Sequence, residues 1–189
     1  MNLKSKYNFL GNNLAVDFTN TEHIAHGDVV ETLQNLNDFY QWTSEAGLEA
    51  EAFSKTDSIN EVIELRTSLK ELFVSAADDN SLPDKALKTV NHYLLNRSET
   101  QQIKKIDNKM FLEPKYKRLS LKRLLGVIAH EAAQLLVSPQ LHQLKHCSNT
   151  KCILLFLDTS KSKKRRWCSM DTCGNRAKAA SHYLNSKKS

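Results

Sequence analysis

Four cysteines constrain this chain of 189 residues more than any other feature. They are the only cysteines in the sequence, and they form two C-x4-C pairs separated by fifteen residues: Cys147 and Cys152, then Cys168 and Cys173. Each pair can supply one edge of a tetrahedron, and a hairpin-sized segment between the pairs can bring the two edges together. Four thiolates with no open position are typical of structural zinc. The spacing therefore predicts one structural Zn2+ ion per chain.

The alternatives for these cysteines are a disulfide pair, buried free thiols, or a catalytic zinc site that includes His146. The first residues lack the apolar stretch of a secretory signal, and no run of about eighteen apolar residues is long enough for a membrane span. These features predict a cytoplasmic protein with no membrane partner. In a reducing compartment, clustered cysteines are more often metal ligands than disulfides.

Charge is distributed unevenly along the chain, whose formal net charge is +6. Residues 1–96 contain seven basic and fifteen acidic residues, whereas residues 145–189 contain eleven basic residues and two acidic ones. A concentration of positive charge at one end favours contact with a polyanion. The sequence thus predicts two parts with different roles, an acidic body and a basic C-terminal module.

Apolar side chains at helical spacing indicate four helices in the body. Each is preceded by residues that commonly begin a helix, and the expected starts are Asn35, Asp57–Ser58, Ser81–Asp84 and Ser120. Between the third and fourth helices, Asp107-Asn108 separates two short apolar segments and predicts a β-hairpin. The irregular opening segment, residues 9–21, fits either a buried strand or a helical turn.

The C-terminal module is predicted to contain a zinc knuckle, a β-hairpin and a helix. Residues 153–157 have the composition of a strand, residues 158–162 that of a polar turn, and residues 164–167 that of a returning strand. This hairpin would bring Cys152 close to Cys168, and a helix is expected after Cys173. The predicted fold class is α+β. A predominantly helical domain with a small hairpin covers residues 1–140, and a treble-clef-like zinc finger covers residues 141–189.

The module resembles the CGNR zinc finger of bacterial proteins. The resemblance is carried by both cysteine pairs, by residues 156–160, by residues 165–170, and by Cys173-Gly174-Asn175-Arg176 with the two residues that follow. The C-x4-C spacing is wider than the C-x2-C that is usual in treble-clef zinc fingers. Residues 14–21, with the sequence LAVDFTNT, are similar to the opening motif of the ABATE domain, which usually precedes that finger. The resemblance implies a stress-induced transcriptional regulator whose finger contacts DNA.

The basic residues of the module are the predicted nucleic-acid surface, because almost no acids accompany them. They are Lys161, Lys163, Lys164, Arg165, Arg166, Arg176 and Lys178. Since side chains alternate along a strand, one of Arg165 and Arg166 is expected to point inward and to support the knuckle through hydrogen bonds to carbonyl groups. A solvated charged face with no partner is the alternative interpretation.

The resemblance to the ABATE domain further implies that the body is a sensor, with Asp17 and Asn20 as the expected residues of a small-molecule pocket. The alternative is that these side chains form capping and turn hydrogen bonds. The predicted function is a DNA-binding transcriptional regulator, with a homodimer as a further expectation. The alternative function is a small-molecule-binding or protein-interaction module, in which the finger is structural or docks a protein or RNA. No phosphate loop, nucleophile elbow or HExxH motif occurs, so we expect no enzymatic activity.

Overall fold

The computed structural model of the protein describes residues 5–96, 101–114 and 118–186. The body contains five helices and two hairpins: α1 (Leu14–Thr19), β1 (Glu22–Ala25), β2 (Asp28–Glu31), α2 (Leu36–Glu45), α3 (Ile59–Ala77), α4 (Asp84–Leu94), β3 (Gln101–Ile106), β4 (Lys109–Pro114) and α5 (Leu121–Leu136). A 3-10 turn (Pro139–Gln143) leads into the module, which contains β5 (Leu144–His146), β6 (Leu155–Leu157), a π-helical turn (Met170–Gly174) and α6 (Asn175–Ser186). The predicted α+β fold class is confirmed.

The helices begin where the sequence predicts them. Asn35 and Asp38 form a reciprocal capping box at the start of α2, and the chain leaves the helix through Gly47, whose φ of +80° few other residues adopt. Ser58 caps α3 with its side chain, whereas Ser120 precedes α5 without making that bond. The opening segment, for which strand and helix were both open, forms the short helix α1. The described helices include none that is long and apolar enough to cross a membrane.

The main hydrophobic core lies where α1 packs against α3 and α5, with α4 packed on the same two long helices. Phe18 and Trp42 are fully buried there with ring centroids 5.2 Å apart, and Phe39 lies 6.0 Å from each of them. Aromatic rings at such distances add to the free energy gained from burial. The short helix α1 is therefore held firmly at the centre of the body.

Two hairpins extend from the helical body. The predicted hairpin is confirmed as β3–β4, and its turn residues Asp107 and Asn108 have φ of +47° and +64°, as a tight two-residue turn requires. The β1–β2 hairpin was not predicted. Its turn is His26-Gly27, with φ of +56° and +101°. The glycine was the available signal, but strands of four residues gave too little alternation to recognise.

The predicted second strand of the module, residues 164–167, is wrong, because this segment forms no strand. Instead, β6 pairs in antiparallel fashion with β5, which lies before the first cysteine pair. The backbone of residues 164–167 has other partners: Arg165 donates its N–H to the Asp158 carboxylate, and the Arg166 carbonyl accepts from Ser148. The hairpin thus has the zinc knuckle at its turn instead of following it, and the helix α6 comes last as predicted.

Strand β6 contributes side chains to two hydrophobic cores. Leu155 and Leu157 belong to the main core of the body, whereas Phe156 belongs to a small core around the cysteines. Leu10, from the opening segment, also packs into the small core. The module is therefore joined to the body by packing along β6 as well as by the chain itself.

Candidate metal centre

The four cysteines converge on a space that fits one metal ion. Their Sγ atoms all lie within 4.8 Å of one another, and no other cluster of metal-binding side chains occurs in the described ranges. The Sγ atoms of Cys152 and Cys168 are 3.8 Å apart, and those of Cys168 and Cys173 are 3.7 Å apart. Four sulfurs bound tetrahedrally to zinc at about 2.3 Å would lie about 3.8 Å from each other. The geometry therefore fits a tetrathiolate metal site.

Three backbone elements position the thiols. In the knuckle, the Cys147 N–H donates to the Leu154 carbonyl at 3.0 Å, and the Cys152 N–H donates to the Asn149 carbonyl at 2.9 Å. The irregular segment after β6 delivers Cys168, whose N–H points at the Cys147 Sγ over 3.4 Å. Cys173 lies in the π-helical turn. N–H groups directed at sulfur stabilise thiolates, which are the form that binds metal.

Without metal, the thiols share protons among themselves. Hydrogen bonds from Cys152 and Cys168 lower the pKa of the Cys147 thiol well below its ordinary value. The bond to Cys147 in turn raises the pKa of Cys152 to about 12. A metal ion that binds all four sulfurs must therefore displace protons, so that its affinity falls with decreasing pH.

Arg165 braces the metal centre instead of facing solvent. Its Nε donates to the Trp167 carbonyl at 2.9 Å, and its Nη2 donates to the carbonyls of Cys168 and Leu10, the latter at 3.0 Å. Its guanidinium also lies 4.2 Å from the centre of the Phe156 ring. This arrangement agrees with the expected inward arginine and leaves Arg165 poorly placed to contact a phosphate.

Lys163 is also used within the module. Its Nζ donates to the Gln143 side chain at 2.8 Å and to the Asp158 carbonyl at 3.1 Å. The Asp158 carboxylate is completely buried, and Lys145 binds it at 2.7 Å. Burial alone would raise the pKa of Asp158, but the bonds from Lys145, Ser160 and the Arg165 N–H lower it well below its usual range. Asp158 therefore holds this part of the module together as a carboxylate.

The other predicted basic residues are exposed, and the sequence interpretation overlooked one more cation of this kind. Arg166 lies 5.4 Å from the centre of the Trp167 ring. Four of the predicted basic residues make no side-chain hydrogen bond or ion pair within the described ranges: Lys161, Lys164, Arg176 and Lys178. Lys151, in the knuckle, is likewise exposed and unpaired among the described residues, and it was missed because it lies outside the run of basic residues at 161–166. These six cations, from Lys151 to Lys178, are called the basic surface below.

The Cys173-Gly174-Asn175-Arg176 motif combines three structural tasks at the start of α6. A Cβ atom at Gly174 would lie only 2.5 Å from the Met170 sulfur, so a larger residue would displace Met170. The Asn175 side chain donates to the Asp171 carbonyl at 3.2 Å. With Cys173 as a ligand, the motif fixes the turn that carries Arg176 on the surface.

Asp17 and Asn20 lie at the junction of body and module. The Asn20 amide donates to the Leu155 carbonyl at 2.9 Å and accepts from the Leu155 N–H at 3.0 Å. Asp17 accepts from the Gly11 N–H at 2.6 Å, and burial raises its pKa to about 6. The ligand role stays a prediction, whereas the bonds that the structure gives these residues join the opening segment and α1 to β6.

Comparison with known proteins agrees with this architecture. Residues 12–139 match a family described as "Putative stress-induced transcription regulator", and residues 143–185 match the CGNR zinc finger. No significant match to a curated protein was found. Because the first match covers more than half of the chain and the finger follows it, the chain belongs to the ABATE family and carries a C-terminal CGNR zinc finger.

Proposed function

We propose that this protein is a DNA-binding transcription regulator whose zinc-held module contacts the phosphate backbone. The observation that carries the proposal is the basic surface, a group of exposed cations of which five have no internal partner among the described residues. Lysine and arginine side chains that are free in this way can replace the counterions of DNA, which drives binding. Family membership supports a regulatory role.

The metal has a structural role in this proposal. One Zn2+ ion per chain would hold the knuckle, the segment after β6 and the π-helical turn at fixed positions, and all four ligands come from protein. With four thiolates bound, no coordination position remains for a substrate. We accordingly propose binding as the activity, without catalysis.

The proposed DNA surface differs from the sequence prediction in three residues, two of them removed and one added. Arg165 and Lys163 are engaged in internal hydrogen bonds, so substituting them would damage the module and would not report on DNA contact. Lys164, Arg166 and Lys178 are exposed and suit a test of phosphate binding. Lys151 joins the surface as an additional contact.

The test reverses charge at three positions of the surface. The triple variant Lys164→Glu, Arg166→Glu, Lys178→Glu is compared with a control, Lys55→Glu, Lys85→Glu, Lys88→Glu, which changes net charge equally at exposed sites of the body. In filter binding to duplex DNA over a salt series, we expect the first variant to lose binding at least a hundredfold and the control to keep the wild-type salt slope. Zinc content should equal one per chain in all three proteins.

An equal loss of DNA binding in both variants would show that binding responds only to net charge, and it would refute the assignment of DNA contact to the basic surface. If wild-type protein with full zinc ignores DNA at moderate salt, the regulator contacts its target through another macromolecule. A cytoplasmic location, an effector and a homodimer remain predictions, and sedimentation of the zinc-loaded protein tests the last.

A further inference from the structure

An open cleft lies between the β1–β2 turn of the body and the zinc knuckle. Its outer part has a volume of about 550 Å³ and is lined by Ile24, His26, Gly27, Thr150, Lys151 and Arg176. An inner part of about 240 Å³ shares four of these residues and extends to three of the cysteines. Volumes of this size are typical of small-molecule sites, and such sites combine apolar contact with a few convergent polar groups.

The cleft concentrates positive charge that has no internal partner. Lys151 comes from the knuckle and Arg176 from α6, and neither side chain bonds to any residue in the described parts of the chain. The lining includes no carboxylate among the described residues. The neighbouring acids Asp28 and Asp171 point to solvent as exposed residues outside the lining. Two cations that face one concavity favour an anionic ligand.

The lining also offers uncharged hydrogen-bonding groups. In the outer part, Thr150 of the knuckle contributes a hydroxyl, and His26 contributes an imidazole from a third element, the β1–β2 turn. His23 lines the inner part, and its Nδ1 is the one buried side-chain nitrogen or oxygen without a hydrogen-bond partner in the described part of the chain. Buried polar atoms are normally paired, so this nitrogen is an unsatisfied polar group beside the inner part of the cleft.

We propose that this cleft binds the phosphate group of a small phosphorylated molecule. A guanidinium fork from α6, together with an ammonium group and a hydroxyl from the knuckle, suits the several oxygens of a phosphate, whereas a carboxylate has only two in one plane. The cleft is larger than a phosphate group. Ile24 and the apolar side chains of the inner part, Leu10 and Leu154, can contact the organic part of the ligand.

A purely structural role of the two cations makes a different prediction. Zinc with four thiolates carries a net charge of −2, and Lys151 is adjacent to Cys152. If Lys151 and Arg176 served only to neutralise that charge, their removal would weaken zinc binding and phosphate would find no site. The cysteines line only the inner part. An anion in the outer part can therefore contact both cations without touching the thiolates.

Occupancy of the cleft would affect DNA binding, because Arg176 and Lys151 belong to both sites. A phosphorylated ligand would occupy these cations and compete with the DNA backbone. This consequence rests on the proposed function, whereas binding of the ligand itself does not. Phosphate binding and DNA binding are therefore measured separately.

The experiment titrates inorganic phosphate into zinc-loaded, 15N-labelled full-length protein, with chloride at matched ionic strength as the reference. We expect saturable shifts of the Gly27 and Thr150 amide signals. The dissociation constant should rise at least tenfold in Lys151→Gln and in Arg176→Gln. Lys88→Gln, at an exposed site of α4 in the body, should bind phosphate as wild type does. Zinc affinity should change less than twofold in all three.

Shifts in wild-type protein that grow linearly and match those in chloride would overturn the proposal. So would unchanged phosphate affinity in both cleft variants, or weakened zinc binding in them without any phosphate site. Duplex DNA provides the second arm. Loss of DNA binding in Arg176→Gln, with no saturable phosphate binding in wild type, assigns the cations to the DNA backbone and refutes the small ligand. Saturable phosphate binding without DNA binding upholds the cleft and refutes the proposed function.

Discussion

The buried amide of Asn20 allows the link between body and module to be tested quantitatively. Its side chain is 2% exposed and makes two hydrogen bonds with Leu155, at 2.9 Å to the carbonyl and 3.0 Å from the N–H. Leu155 is itself 1% exposed, so water does not reach these backbone groups. The Asn20 amide therefore completes the edge of β6 opposite β5, as a neighbouring strand would.

Replacing Asn20 by alanine should leave both backbone groups of Leu155 buried and unpaired. Each such group costs about 1–3 kcal/mol, so we expect the free energy of unfolding to fall by about 2–6 kcal/mol. Asn20→Asp keeps an acceptor for the N–H but directs a second oxygen at the Leu155 carbonyl, so it should not restore stability. Asn12→Ala is the matched control. Asn12 bonds the Leu157 carbonyl on the same edge but is exposed, and its φ is +59°, so alanine there should cost about 1–2 kcal/mol through the lost bond and the left-handed backbone conformation together.

The assay is urea unfolding at saturating zinc, together with the rate at which a chelator removes the metal. Because β6 follows the knuckle directly, a loosened β6 should also speed metal release in Asn20→Ala. An Asn20→Ala protein within about 0.5 kcal/mol of wild type, or no less stable than Asn12→Ala, would refute the reasoning. If Asn20→Ala is as stable as wild type but no longer binds an effector that the wild-type protein binds, the ligand role predicted from the sequence is supported instead.

Two further predictions concern side chains at the same junction. Arg165→Lys should keep one zinc per chain but lower the free energy of unfolding by about 2 kcal/mol, because lysine cannot reach all three carbonyls. A comparable loss of stability in the exposed control Arg166→Lys would contradict this prediction. Burial raises the pKa of Asp17 to about 6, above its unfolded value of 3.8, so its contribution to stability is lost as pH rises through 6. Measured as the difference between wild type and Asp17→Asn, stability should be about 1.4 kcal/mol greater at pH 5 than at pH 7.5. A difference independent of pH would exclude the raised pKa.

The features that the sequence predicts correctly depend on neighbouring residues. Asn35 with Asp38 starts a helix through bonds within one turn, and Asp107-Asn108 tolerates the backbone conformation of a tight hairpin. The metal cluster is also close to local, since each C-x4-C pair spans six residues. In each case the residues that interact are visible together in a short stretch of sequence.

The features that the sequence does not predict depend on distant partners. Residues 153–157 have strand composition, yet the partner of β6 lies upstream in β5, because Asp158 and Ser148 engage the backbone of residues 165–166. Strand alternation indicated that one of two adjacent arginines faces inward. Only the Leu10 carbonyl, 155 positions away, shows that Arg165 is the one. Asn20 and Leu155 are likewise 135 positions apart.

The two sequence motifs that carry the family resemblance meet in space, and this contact has a thermodynamic consequence. Asn20 belongs to the N-terminal motif and bonds to β6, while Leu155 and Leu157 of that strand pack in the main core and Phe156 packs beside the cysteines. Zinc that binds only the folded state adds its binding free energy to the stability of whatever unfolds with the site. Because β6 cannot leave the metal centre without opening the main core, we expect zinc to stabilise the body as well as the module. Loss of metal would then weaken the body along the edge that Asn20 completes.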